Sequence, residues 1–473
     1  MTNFATLMKR RAKALLHNPT MIALAKDILR PFPWLDEEAR VLAYRLKKAN
    51  CSVTPILYQP KSEHQKCLVH DQENQLLYDV SEIAIRDVHT GIQRVVRSLL
   101  LELLKSPPIG YQVKPVRADE TGQIVYANQF LSRLTSTGVT VEEDMPINVS
   151  SGDLFLCADL QVYYPFPSIQ SLRFRGVTVI FVVYDILGLK LRDAFPKAFQ
   201  LGFSDWFAGV LETADRVLCD SRAVANELYQ WLDNHQHSRK HPLAIDWFHL
   251  GANLEASKPT IGISETDELL LKGLASQPTL LMVGTLEPRK GHTEALDALE
   301  ILWADGTAIN LVIIGKEGWR SHELIRRLRR HPQRQRQLYW LDKASDALLV
   351  RLYQQSSALL AASYAEGFGL PLIEAAHYGL PIIARDILIF REVAGDFVYY
   401  FVNDRNPKQL AASIRQWLKL HAEGRATPSA GMPYLTWAQA AKRVSDLLLL
   451  EKNNHYKTWR YNPAESTSPE KNQ

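Results

Sequence analysis

Cysteine is scarce and scattered. Four occur in 473 residues, Cys51, Cys67, Cys157 and Cys219, and none has the close paired spacing of a metal site or a disulfide framework. Cys157 and Cys219 fall in apolar runs, so buried, reduced thiols in a cytosolic protein are expected. Net charge is small, +4, with lysine and arginine spread along the chain, which argues against a nucleic-acid-binding class. No apolar run approaches the roughly 20 residues of a spanning helix, and the N-terminus lacks the apolar core of a secretory signal. A soluble or peripheral cytoplasmic protein is expected, and contact with the inner face of a membrane stays open. With 46% hydrophobic residues the chain can bury large cores, and its length suggests two domains.

What is present centres on one stretch, Glu366-Gly367-Phe368-Gly369-Leu370-Pro371-Leu372-Ile373-Glu374. The apolar run Ala358 to Ala362 before it reads as a buried strand. Pro371 suits the first turn of a helix, and Gly379-Leu380-Pro381 ends that helix. Free N–H groups at a helix start favour anions, and glycines at its mouth let a phosphate approach. Glu366 and Glu374 frame the same loop, so both are expected to face one cavity and accept hydrogen bonds from sugar or ribose hydroxyls. The string resembles the Glu-x7-Glu signature of retaining glycosyltransferase family 4, also called glycosyltransferase group 1. That resemblance implies a GT-B fold: an α/β protein of two Rossmann-like domains facing a central cleft.

Other segments fit that plan. Strand Gln75 to Ser81 leads to Thr90-Gly91-Ile92-Gln93-Arg94, a helix entrance whose Thr90, Gly91 and Arg94 are candidates for the diphosphate or an acceptor. A packing glycine before an ordinary helix is the other reading. The wording Asp87-x-x-Thr90-Gly91-Ile92-Gln93-Arg94 resembles one polysaccharide-assembly subgroup. In parallel α/β sheets ligands bind beyond the carboxyl ends of strands, which picks out Tyr184-Asp185 and Asp220-Ser221-Arg222. Family members commonly have His-Asp where Tyr184-Asp185 stands. Asp185 is read either as orienting an acceptor hydroxyl or as a loop cap.

The run Val283-Gly284-Thr285-Leu286-Glu287-Pro288-Arg289-Lys290-Gly291 places two cations beside glycines after a strand. Cations there suit a diphosphate leaving group. It resembles the family's phosphate-binding segment, with Lys290 at the usual lysine and Thr285 where many members have arginine; Arg289 is expected to compensate. Gly315, after strand Asn310 to Ile314, is expected to line the nucleotide cleft. Arg326, Arg327, Arg329 and Arg330 read as a solvated basic face or, less simply, a contact for lipid or anionic polymer.

The expected organisation is a helical extension over 1–70, an acceptor domain over 71–258, a donor domain over 268–432, a helix over 433–452 returning to the first domain, and a flexible tail over 453–473. In the extension, Phe4, Leu7, Met8, Ala12, Leu15 and Leu16 recur at helical spacing among Lys9, Arg10, Arg11 and Lys13. Such a helix lies on anionic lipid or packs on protein. The resemblance implies a retaining hexosyltransferase that moves a sugar from a nucleotide-sugar donor to a glycan or lipid-linked glycan. The first reading is mannose from GDP-mannose, in assembly of a bacterial surface polysaccharide such as the O-antigen of lipopolysaccharide or a capsule. Lys290, Arg289, Glu366 and Asp185 are the expected catalytic set. Glu374, Gly284, Thr285, Gly315, Gly367, Phe368, Gly369 and Leu370 are the expected donor-binding set. No Asp-x-Asp occurs, so a metal-carboxylate donor site has no candidate, and no metal or cofactor is expected. A non-catalytic nucleotide-sugar-binding or scaffold protein, and an epimerase of the same fold, are the alternatives.

Overall fold

The computed structural model describes residues 41–45, 73–88, 90–135, 142–161, 164–235, 237–257, 259–451 and 454–460. The expected helix over 4–16 lies outside them. Within the extension, 41–45 are helical, Val41 and Tyr44 are buried, and the Tyr44 hydroxyl donates to Asp205.

Among the described residues, two sheets organise the chain. The first contains β1 (Asn74–Asp79), β2 (Tyr111–Ala118), β3 (Ile124–Tyr126), β4 (Leu154–Cys157), β5 (Thr178–Val183), β6 (Arg216–Cys219) and β7 (Leu243–Trp247). The second contains β8 (Thr279–Val283), β9 (Asn310–Ile314), β10 (Leu338–Leu341), β11 (Ala358–Ala361), β12 (Ile382–Arg385) and β13 (Tyr399–Phe401). A last strand, β14 (Lys457–Trp459), joins the first sheet. The orders are β14-β7-β6-β5-β4-β1-β2-β3 and β10-β9-β8-β11-β12-β13. All pairings are parallel except those of β3 and β14 at the two edges of the first sheet. Parallel strands covered by helices on both faces must be apolar throughout. Val179 to Val183 and all of β9 are accordingly buried.

The helices that bear on the site are α1 (Gly91–Lys105), α2 (Lys197–Thr213), α3 (Arg222–His235), α4 (His292–Ala304), α5 (His322–Arg330), α6 (Asp346–Gln355), α7 (Leu370–His377), α8 (Leu388–Ala394) and α9 (Trp437–Leu448). Both α1 and α9 begin with a capping box, Thr90 with Gln93 and Thr436 with Gln439. Their apolar faces, Val95, Leu99 and Leu103 against Ala440, Val444 and Leu447, belong to one core. Helix α9 therefore packs beside the first sheet although it follows the second in the chain. The two segments that pass between the sheets lie side by side. The Ala252 N–H donates to the Leu435 carbonyl at 2.8 Å, and the Trp437 N–H donates to Asn253 Oδ1 at 2.8 Å.

Within the expected tail, the described residues 454–460 include a strand. Residues 457–459 form an antiparallel strand on β7, with Trp459 opposite Leu243 and 3% exposed. One buried indole and a free sheet edge outweigh the polar residues around it. Cys157 and Cys219 are free thiols buried in β4 and β6.

Candidate functional site

Strand β8 ends at Val283 and the chain turns through Gly284 into a short 3-10 turn, Pro288–Lys290. Gly291 then takes a left-handed φ of 71°, and a Cβ there would lie 2.3 Å from the Ala362 carbonyl oxygen, so only glycine lets this turn press on β11. The turn aims both cations at one acid. Lys290 Nζ donates to Glu366 Oε1 at 2.5 Å, and Arg289 Nη1 donates to Glu366 Oε2 at 2.9 Å. Arg289 Nε also donates to Glu287 at 3.0 Å. Burial alone would raise the Glu366 pKa, but Lys290 and then Arg289 overcome it and hold the carboxyl at about 2, ionised at neutral pH. Burial opposes the charge of Arg289 too, yet Glu366, Glu287 and Asp185 hold its pKa above the ordinary value. A narrow cavity lined by Lys290, His292, Glu366, Gly369, Pro371 and Phe390 opens beside this triad.

His292, the first residue of α4, lies beneath Lys290, is 1% exposed, and has neither ring nitrogen hydrogen-bonded. Burial, then the charge of Lys290, lower its pKa from 6.5 to about 3. The unfolded chain therefore binds the proton first as pH falls through 6.5, and stability is lost from there downward toward pH 3. At pH 5 the loss is about 2 kcal/mol. His292→Leu is expected to flatten the fall in melting temperature between pH 7 and pH 5; an unchanged pH slope in the variant would contradict this account.

The signature loop runs from Glu366 to α7, whose N-cap Gly369 has φ 96°. Gly367 sits against the other half of the molecule: a Cβ there would lie 2.0 Å from the Tyr184 carbonyl oxygen and 3.3 Å from Asp220. Phe368 is buried with its ring 5.4 Å from that of His249, and Leu370 packs on Gly91. Glu374 does not share a cavity with Glu366. Its Oε1 accepts from Arg94 at 2.6 Å and its Oε2 from the Tyr353 hydroxyl at 2.7 Å, because α7 turns it toward α1 and α6.

Several expected site residues have structural partners. The Thr90 hydroxyl accepts from the Gln93 N–H at 3.3 Å as the cap of α1. The Gly315 N–H donates to the Leu341 carbonyl and its own carbonyl accepts from Trp340, and a Cβ there would lie 1.9 Å from the Gly284 carbonyl oxygen. Gly315 thus packs under Gly284 and presents no free N–H to the cleft. The Thr285 methyl packs near Gly318. Asp185 accepts from the Leu187 N–H at 2.9 Å, the loop-cap reading, while its charge is felt by Arg289; burial raises its pKa. On the outer surface Arg327 pairs with Asp297 and Glu300, and Arg326 with Glu323, which agrees with a solvated basic face for α5.

Sequence reasoning missed further partners across the cleft. Glu392 on α8 accepts from the Arg222 and Ala223 N–H groups at the start of α3, at 2.8 and 2.7 Å, and meets His249 Nε2 at 2.9 Å. The Ser221 hydroxyl donates to the Gly367 carbonyl at 2.9 Å. Trp319 lies on Phe199, ring centroids 4.4 Å apart. Ser221 and Arg222 were marked by their place after a strand and Gly367 by the signature loop, but no local pattern pairs them with their partners or marks Glu392, His249, Phe199 and Trp319, since each pair is joined only by the fold.

Residues 272–429 match the family model described as Glycosyl transferases group 1. The serotype-specific mannosyltransferase WbdA of Escherichia coli is 41% identical over 373 residues, 78% of this chain and 44% of that relative. The chain thus spans less than half the length of this curated relative. Two solved structures share the fold. Sucrose-phosphate synthase from Thermosynechococcus elongatus superposes with a TM-score of 0.54 at 16% identity, over 79% of this chain and 98% of that one. HepE from Anabaena, in complex with UDP and glucose, gives 0.53 at 15% identity, over 80% and 99%. Residues 272–429, which hold the second sheet, thus carry the group 1 glycosyl transferase domain, and the chain as a whole has the GT-B fold of these solved structures.

Proposed function

We propose that the chain is a retaining hexosyltransferase that moves mannose from GDP-mannose to a growing bacterial surface glycan, with no protein general base. The observation that carries this reading is the Lys290–Glu366–Arg289 cluster at the carboxyl end of β8. Likeness to a mannosyltransferase over 78% of the chain supports the choice of sugar. Lys290 and Arg289 meet the diphosphate, and Glu366, ionised at neutral pH, accepts hydroxyls of the donor sugar. Asp185 neighbours Arg289 and helps to fix its orientation. Glu374 binds the ribose hydroxyls. The bond from the anomeric carbon to phosphate oxygen breaks as the bond to the acceptor oxygen forms on the same face. The acceptor proton passes to the leaving phosphate oxygen. Contacts on several sides of the cleft keep water from competing with the acceptor.

The test is transfer itself. The chain is incubated with GDP-mannose, UDP-glucose or ADP-glucose and a lipid-linked mannoside acceptor. Release of GDP with formation of an α-mannoside is the expected result. Turnover of another nucleotide-sugar would replace the donor assignment, and a β-linked product would remove the retaining mechanism.

A further inference from the structure

The acid assigned to the ribose is already occupied. Glu374 is 2% exposed, and each of its oxygens holds a hydrogen bond, from Arg94 at 2.6 Å and from Tyr353 at 2.7 Å. The other arm of the Arg94 fork reaches Asp346 Oδ1 at 2.8 Å. Asp346 is fixed in turn, since its Oδ2 accepts the Thr260 N–H at 2.8 Å and the Thr260 hydroxyl at 2.9 Å. Arg94 belongs to α1 beside the first sheet, whereas Asp346 and Glu374 belong to α6 and α7 beside the second. One planar guanidinium therefore ties the two halves together at the mouth of the proposed donor cleft. Two carboxylates matched to one fork make a strong, directional tie, particularly where water is excluded. Nearby contacts close the same corner: Lys316 Nζ donates to the Val88 carbonyl at 2.8 Å, and Leu370 rests on Gly91.

Glu374 has acceptor capacity to spare but only 2% exposure, so a ribose that hydrogen-bonds it must enter the space beside Oε1 that the Arg94 guanidinium fills. We infer that Arg94 is a gate on the donor site: its guanidinium closes the unliganded cleft by occupying Glu374, and a nucleotide must displace it before the ribose can bind. The inference rests on the reading of Glu374 as the ribose ligand. Its consequence is a measured affinity lowered by the fraction of molecules whose gate is open. Arg94 then opposes nucleotide binding, which is the reverse of what a diphosphate-binding arginine does.

The sign of one change decides. GDP, UDP and ADP are titrated calorimetrically into the wild type and into Arg94→Ala, with circular dichroism and melting temperature establishing that the variant is folded. The variant is expected to bind its preferred nucleotide about tenfold more tightly or better. Equal or weaker binding overturns the gate. Arg94→Lys, which can meet one carboxylate but not both, is expected to fall between, and it serves in place of the alanine variant if that one does not fold. Adding Glu374→Ala to Arg94→Ala is expected to weaken binding again by roughly tenfold or more, through loss of a charged acceptor. If the first change tightens binding and the second does nothing, the ribose assignment falls and the gate on it falls too, whereas no tightening in the first with a loss in the second leaves the ribose assignment standing without the gate. If no nucleotide binds any variant, the donor-site reading falls, and the gate with it.

Discussion

Lys290→Ala is expected to lower turnover by about 100-fold or more while changing nucleotide affinity far less. Charge on the diphosphate grows as the glycosidic bond breaks, so a fixed ammonium stabilises the transition state more than the bound donor. The lysine is well placed for that role. Its side chain lies along Gly284, with Nζ 3.8 Å from where a Cβ of that glycine would stand, and Glu366 holds it at 2.5 Å. Lysine is the better residue to change than its partner. Removing Glu366 would leave two cations in the interior with one fewer counter-charge, a change that destabilises strongly. Removing Lys290 leaves Glu366 paired with Arg289 at 2.9 Å. Single-turnover rates at saturating donor separate the cases: near-normal chemistry in a folded Lys290→Ala protein would transfer the role to Arg289.

Gly367→Ala should have an effect of similar size by a different route. The added methyl would stand 2.0 Å from the Tyr184 carbonyl oxygen, a backbone atom that cannot rotate away. The signature loop and the carboxyl end of β5 must then separate, carrying Glu366 away from the residues across the cleft. A shift of about 1 Å at reacting groups costs on the order of 100-fold in rate. Gly273, in the helix Glu265–Leu274, has open space around its Cβ position and serves as the control. Turnover of Gly273→Ala is expected to match the wild type, and that of Gly367→Ala to fall about 100-fold with little change in the melting of the second half. Wild-type turnover in Gly367→Ala would mean that the cleft works without this contact.

Local features were legible in the sequence and distant pairings were not. Inner strands such as Thr279–Val283 and Asn310–Ile314 are short apolar runs because helices cover both faces, and their positions could be read within a residue or two. The edge strands β3 and β14 were missed, each three residues long and set among polar neighbours. The same divide holds at the site. Glycine beside cation, and glycine beside acid, mark Lys290 and Glu366 because the backbone there must turn within a few residues. Thr90 was visible as a helix start, and what it supplies is a cap. The Arg94 to Glu374 pair spans 280 positions, and Glu392 meets α3 across 170 and 169. Nothing within a local window encodes such contacts; they follow from how two sheets face each other.

The return of the chain to its first sheet also sets how the molecule can move. Helix α9 and strand β14 bring the sequence back to the first sheet, so the half built on the second sheet is, in chain order, a long insertion into the half built on the first. Two covalent passages join the halves, and they are stitched to each other by the Ala252–Leu435 and Asn253–Trp437 hydrogen bonds. A doubled strap of this kind resists swivelling, because twisting one half would shear the two passages past each other. Opening is left with bending about the strap, a jaw-like motion that keeps Lys290 and Glu366 in register on one side while carrying Tyr184 and Arg94 away on the other. A proteolytic nick in either passage would leave the jaws hinged by the other.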